Sequence, residues 1–176
     1  MLFRSWGCTR PASVSMVLGY WARVRQRSNW DVGVPEVARA VYDPSWPGTG
    51  NWPFNTAFAG SLPGLRAYVA RLIDVSELED WIASGVPVVL SVSYPTLKGR
   101  GGETGGGHLV VCVGFTTNGD VVINDPWAVL QKGERVQKTF PRQNLIDAWR
   151  LSQQTVYLIY PEGTRLPADR FGLWEL

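Results

Sequence analysis

Three residues of this chain have side chains that could act together as a nucleophilic site: the thiol of Cys8, the imidazole of His108 and the carboxylate of Asp125. His108 is the single histidine, and Cys8 is one of two cysteines. A thiol placed just ahead of a helix feels the positive end of its dipole, and beside a protonated imidazole its pKa can fall to roughly 3.5–7.5. A carboxylate that binds one imidazole nitrogen fixes the tautomer and leaves the other nitrogen free as a base. Nucleophile, base and orienting acid are the parts a cysteine hydrolase needs.

The spacing places these residues where they could meet. His108 opens an apolar run, His108-Leu-Val-Val-Cys-Val-Gly-Phe, that reads as a buried strand. Asn118-Gly119 is a type I′ hairpin signal joining that run to Asp120–Asn124, and Asp125 ends the returning strand. His108 lies about ten positions before the turn centre and Asp125 about seven after it, so both belong at one end of a hairpin. Side chains on adjacent antiparallel strands stand roughly 5 Å apart there. The same pattern also fits a plainer arrangement: His108 as a strand end, Asp125 as the first residue of an Asn-Asp-Pro turn and Cys8 as a buried free thiol. Cys112, between Val111 and Val113, reads as core.

Other elements must hold these positions. Val14, Val17, Leu18 and Trp21 form an apolar stripe behind Pro11, which predicts a helix to about Val24. A short helix is expected near Pro35–Val41 and an aromatic-packed loop over residues 43–60. Ser61 reads as the cap of a helix through about Leu72, with Leu65, Tyr68, Val69 and Leu72 on one face. Ser76-x-x-Glu79 reads as a capping box, with Leu78, Trp81 and Ile82 inward and Gly85 as a left-handed C-cap. Val86–Tyr94, Arg135–Phe140 and Thr155–Tyr160 read as strands, and Pro141 opens a helix carrying Leu145 and Trp149. The glycine-rich stretch 98–107 cannot pack and is expected to be mobile. Helices first and strands afterwards predict a single α+β domain over 1–176, with N-terminal helices on an antiparallel sheet.

Several blocks carry a family resemblance. Pro11–Trp21, Gly107-His108-Leu109-Val110-Val111, Gly114-Phe115-Thr116, Val122-Ile123-Asn124-Asp125-Pro126, Ala148-Trp149 and Thr155–Pro161 resemble the peptidase C39-like domains of bacterial proteins. These are papain-fold relatives of the peptidase that trims double-glycine leaders in bacteriocin export. The resemblance implies a papain-like fold and a cysteine peptidase-type hydrolase of peptide bonds. It also implies Cys8 as nucleophile, His108 as base and Asp125 as orienter. Trp6, Gly106 and Gly107 would then line the groove for a peptide or protein substrate, beside the loop holding Trp46 and Trp52. The chain departs from the family twice. Anchored on Pro11-Ala12-Ser13, the nucleophile position falls on Thr9, one residue after Cys8. No Gln precedes Cys8 to complete an oxyanion hole, a donor whose loss typically costs about 10²–10³ in rate. A groove that binds peptides without turnover, and acyl transfer by the same triad, are the alternatives these departures leave open.

Composition narrows the rest. Of 176 residues, 45 % are hydrophobic and 18 % charged, which excludes a disordered chain or a coiled-coil rod. A net charge of +2 without a Lys/Arg run gives no nucleic-acid footprint. With one His, a zinc site would lack ligands, and no cofactor or metal is expected. No apolar run is long enough to span a bilayer. Arg4 is followed by Ser-Trp-Gly-Cys and not by a signal-peptide stretch, so the expectation is an intracellular chain or a piece of a longer, exported one.

Overall fold

The computed structural model describes residues 9–45, 47–100, 107–172 and 174. It opens with α1, Thr9–Val24, which buries Val14, Val17, Leu18 and Trp21 along the expected stripe. Trp21 Nε1 donates to the Ile159 carbonyl at 2.8 Å, and Ser13 Oγ donates to the Leu109 carbonyl at 2.9 Å. Both bonds are buried, so each side chain adds packing without leaving a polar atom unsatisfied. Helix α2, Val34–Ala40, starts with its proline in the first turn.

The 43–60 segment is not a loop throughout: α3, Trp52–Ser61, occupies its second half, with Pro53 tolerated in the first turn. The helix expected over 61–72 is instead strand β1, Leu65–Arg71. Pro63 cannot prolong α3, and Gly64 takes a left-handed φ of 84° that turns the chain away. β1 then pairs along its length with the final strand, Leu65 opposite Pro161 through Arg71 opposite Thr155. Its 3.6-residue apolar spacing is overridden by this long-range pairing.

Helix α4, Val75–Ala83, begins two residues earlier than its expected capping box. Asp74 is the N-cap, accepting from the Ser76 and Glu77 N–H groups, and Glu77 reaches back to the Ile73 N–H. Asp74 thus takes the cap expected of Ser76, because Asp accepts at an N-cap at least as well as Ser, and Glu77 holds the N–H just before that cap. Gly85 ends the segment with φ 79°, as its position predicts.

The rest builds the sheet. β2, Val88–Ser93, is followed by a short helix α5, Tyr94–Leu97, which the sequence reading did not anticipate. β3, Gly107–Phe115, β4, Val121–Asn124, and β5, Gln137–Phe140, follow; then come α6, Arg142–Arg150, and β6, Thr155–Pro161. All neighbours run antiparallel, in the order β1-β6-β2-β3-β4-β5. β2 and β6 are almost wholly buried, which accounts for their unbroken apolar runs. The result is an α+β fold of helices packed on a six-stranded antiparallel sheet, as the element order predicts. Among the described residues no helix is long and apolar enough to cross a membrane. The expected mobility of 98–107 falls largely on 101–106, which lie outside the described residues.

Candidate active site

The hairpin β3–β4 sets the site. Its turn is not type I′: Thr116 and Asp120 close the hairpin, Gly119 alone is left-handed at φ 83°, and its N–H donates to the Thr116 carbonyl at 2.9 Å. Type I′ needs φ above zero at both central residues, and Asn118 does not adopt it. A bulge between Cys112 and Gly114 shifts the ladder again, so that Cys112 faces Ile123 and Val111 faces Asn124. Together the wider turn and the bulge settle which residues share a face, since a one-residue slip reverses a whole strand. With Cys112 opposite Ile123, the alternation puts His108 and Asp125 on the same face, near the open end of the hairpin.

They meet there. His108 Nε2 lies 3.0 Å from Asp125 Oδ1, with His108 at 3 % exposure and Asp125 at 0 %. Asp125 Oδ1 also accepts from the Trp127 N–H at 2.9 Å. Its other oxygen, Oδ2, accepts from Lys138 Nζ at 2.8 Å and from the Tyr94 hydroxyl. Burial by itself would raise the Asp125 carboxyl, but the bonds from His108, Lys138, Tyr94 and Trp127 outweigh it and hold the group well below the usual carboxylate range. An ionised carboxylate only accepts, so His108 Nε2 carries the hydrogen. Among the described residues His108 Nδ1 has no hydrogen-bond partner, which leaves it as the basic nitrogen.

Aromatic rings fix the imidazole plane. Tyr94 stands 4.6 Å from it, centroid to centroid, and Trp127 stands 5.5 Å from it. Tyr94 and Trp127 stack on each other at an interplanar angle of 19°. Trp127 stays 41 % exposed, so it forms an outer wall over the buried pair. Lys98 Nζ caps the Tyr94 ring at 4.2 Å. The Tyr94 hydroxyl is pushed far above its ordinary range, first by burial and then by the bond to Asp125, so it remains a proton donor.

The amino end of α1 reaches this part of the sheet. Arg10 Nη2 donates to the Gly107 carbonyl at 3.4 Å, and Ser13 is bonded to Leu109, so the first turns of the helix flank both neighbours of His108. Thr9 is the first residue of α1 and is half-buried. Cys8, Trp6 and Gly106 lie outside the described residues. Gly107 is exposed at the start of β3, and Trp52 is 50 % exposed on α3. Cys112 is fully buried, and burial pushes its thiol up to about 12, which makes it inert as expected.

Sequence reasoning missed Tyr94 and Lys138. The one available signal for Lys138 was alternation: in β5 it shares the inward side with Phe140, an unusual place for an unpaired ammonium. A cavity of about 260 Å³ lies elsewhere, lined by Met16, Tyr20, Arg23, Val111 and Asn124, and includes neither His108 nor Asp125. Among the described residues no group of three or more His, Cys, Asp or Glu side chains could hold a metal ion.

Residues 5–157 match the model of the Peptidase_C39 like family. A crystal structure from Bacillus anthracis, described as that of a C39-like peptidase, superposes with a TM-score of 0.63 at 16 % identity. The superposition covers 87 % of this chain and 88 % of that one, a likeness of fold. No curated protein is significantly similar to the chain.

Proposed function

We propose, from the premise that this chain belongs to the C39-like peptidase family, that it hydrolyses peptide bonds through a Cys8–His108–Asp125 triad. The observation that carries the reading is the buried His108–Asp125 bond of 3.0 Å, with Nδ1 of the ring left free of other described residues. Family membership and fold support a papain-like, peptidase-type function in general; the residue roles are our assignment.

In this mechanism His108 Nδ1 takes the proton of the Cys8 thiol. The thiolate attacks the scissile carbonyl carbon, and the resulting oxyanion collapses with cleavage of the C–N bond. The imidazolium gives its proton to the leaving amine, leaving a thioester on Cys8. Water, deprotonated by the same nitrogen, then releases the carboxylic acid and restores the thiol. Asp125 keeps the hydrogen on Nε2 throughout and stabilises the imidazolium. Cys8 directly precedes α1, a 16-residue helix whose dipole favours a thiolate at that end. Gly107, exposed beside His108, would let an extended substrate backbone approach, with Trp6 and Gly106 as further groove residues.

One observation favours a second reading, a groove that binds peptides without turnover. Thr9, already inside α1, occupies the nucleophile place of the family pattern, and a hydroxyl needs a much stronger base than a thiol. An epoxysuccinyl probe with peptide mapping separates the two. Hydrolysis predicts covalent labelling of Cys8 near neutral pH and cleavage of a peptide library that Cys8→Ala abolishes. Binding of peptides by wild type and Cys8→Ala alike, without products, would overturn the peptidase reading. Acyl transfer by the same triad would appear as adducts of an added amine in place of the free acid.

A further inference from the structure

We propose that Lys138 is a positioning residue that divides the Asp125 carboxylate with His108, so that removing its ammonium hands the full negative charge to the imidazole. The catalytic meaning of this rests on the triad reading above; the geometry does not.

Asp125 is completely buried, and its two oxygens face two different nitrogen donors, the His108 ring and the Lys138 ammonium. Oδ1 faces His108 Nε2 at 3.0 Å, and Oδ2 faces Lys138 Nζ at 2.8 Å. The pairing of Ile123 with Lys138 explains this: it places the lysine on the face of Ile123, which alternation carries on to Asp125. Lys138 is only 23 % exposed, so water screens this contact far less than it would a surface pair.

An orienting carboxylate without such a partner lends its whole charge to the imidazolium that forms during acyl transfer. Here one positive charge already sits on the carboxylate. Protonating His108 therefore places a second cation on one buried anion. The Tyr94 hydroxyl adds a neutral donor on Oδ2. Lys98, just past α5 and over the Tyr94 ring, and Arg10 of α1, on the Gly107 carbonyl, add positive charge. Among the described residues Glu134 opposes them: its Oε2 lies 3.5 Å from Lys138 Nζ, but at 43 % exposure it acts largely through water.

The single histidine makes the test direct, because the chain gives one imidazole titration by NMR. It is run on the full chain with Cys8→Ala, so that no thiolate couples to the ring. Lys138→Gln should move the midpoint upward by about one pH unit, the scale of one charge lost within a few ångströms. Lys138→Arg, which keeps the charge, should restore the parent curve. Lys138→Met repeats the test should the Gln variant fail to fold, and Glu134→Gln, a surface change, should move the midpoint down by about a few tenths. A midpoint that stays put or falls in folded Lys138→Gln or Lys138→Met overturns the proposal. Peptide cleavage with Cys8 intact is scored separately. A predicted titration shift in a chain that cleaves nothing leaves Lys138 in its role and removes the peptidase. Cys8-dependent cleavage with no titration shift does the reverse.

Discussion

The rings of Tyr94 and His108 stand 4.6 Å apart, and the Tyr94 hydroxyl donates to the same Asp125 carboxylate that holds His108 Nε2. Tyr94 thus packs the imidazole and anchors its partner from one residue. Tyr94→Phe keeps the ring and removes the donor, leaving the buried carboxylate one bond short. A hydrogen bond to a charged group is worth about 1.5–3 kcal/mol, so we expect that loss in denaturant unfolding. Tyr94→Leu removes the ring as well. Peptide cleavage should fall further in Tyr94→Leu than in Tyr94→Phe; equal activities would show that ring packing does not hold the imidazole.

Asp125→Asn should cost about 3 kcal/mol in unfolding, the low end for breaking a buried pair, since Lys138 keeps some contact with water. The pH dependence has a definite sign. The carboxyl of the folded chain sits below its unfolded value, so its stabilisation is present above the unfolded pKa and is lost as pH falls toward the folded one. Wild type should therefore lose more Tm than Asp125→Asn between about pH 5 and pH 2. Parallel curves for the two proteins would mean the carboxylate is not held ionised by its partners.

Most of this architecture could be read from the sequence, because α1, β2, β3 and β6 have apolar patterns strong enough to survive tertiary context. What could not be read depends on partners distant in sequence. β1 is a strand because β6 pairs with it, and nothing in Leu65–Arg71 itself says so. The site was legible as a pair, His108 with Asp125, through the hairpin. The exact register was not, because the Cys112–Gly114 bulge and the wide Asn118-Gly119 turn each shift the strands by one residue. Beyond the alternation of β5, Lys138 was hard to read for a similar reason: its partner Asp125 is reached through two strand pairings. The expectation for Cys8 rests on residue type and its place ahead of α1 in the sequence, and Cys8 lies outside the described residues.

The two cysteines should differ sharply toward iodoacetamide. Cys112 is fully buried with its thiol pushed up to about 12, so it should stay unmodified in the native chain. Intact-mass analysis near neutral pH should show one adduct on the folded protein and two after denaturation. Mapping should place the first on Cys8, and Cys8→Ala should show none until unfolded. Native labelling at Cys112, or a Cys8 that reacts no faster folded than unfolded, contradicts an activated thiol.

Glu77 is an acid whose charge works against the fold. It is fully buried at the third position of α4; its Oε2 accepts from the Ile73 N–H, while Oε1 has no partner among the described residues. Burial raises its carboxyl above the ordinary range, and the nearby Asp74 adds to this, although the Ile73 bond opposes it. A raised carboxyl is penalised once it ionises, so the cost is absent at low pH and grows as pH rises through the folded value. Glu77→Gln keeps the acceptor for Ile73 and removes the charge. It should raise Tm near neutral pH, and the gain should vanish near pH 4, where wild type is protonated too. Glu77→Ala removes the charge and the capping bond together, and should be about 1 kcal/mol less stable than Glu77→Gln across the same range. A Glu77→Gln protein less stable than wild type at neutral pH would show that the ionised carboxylate has a partner that supports it.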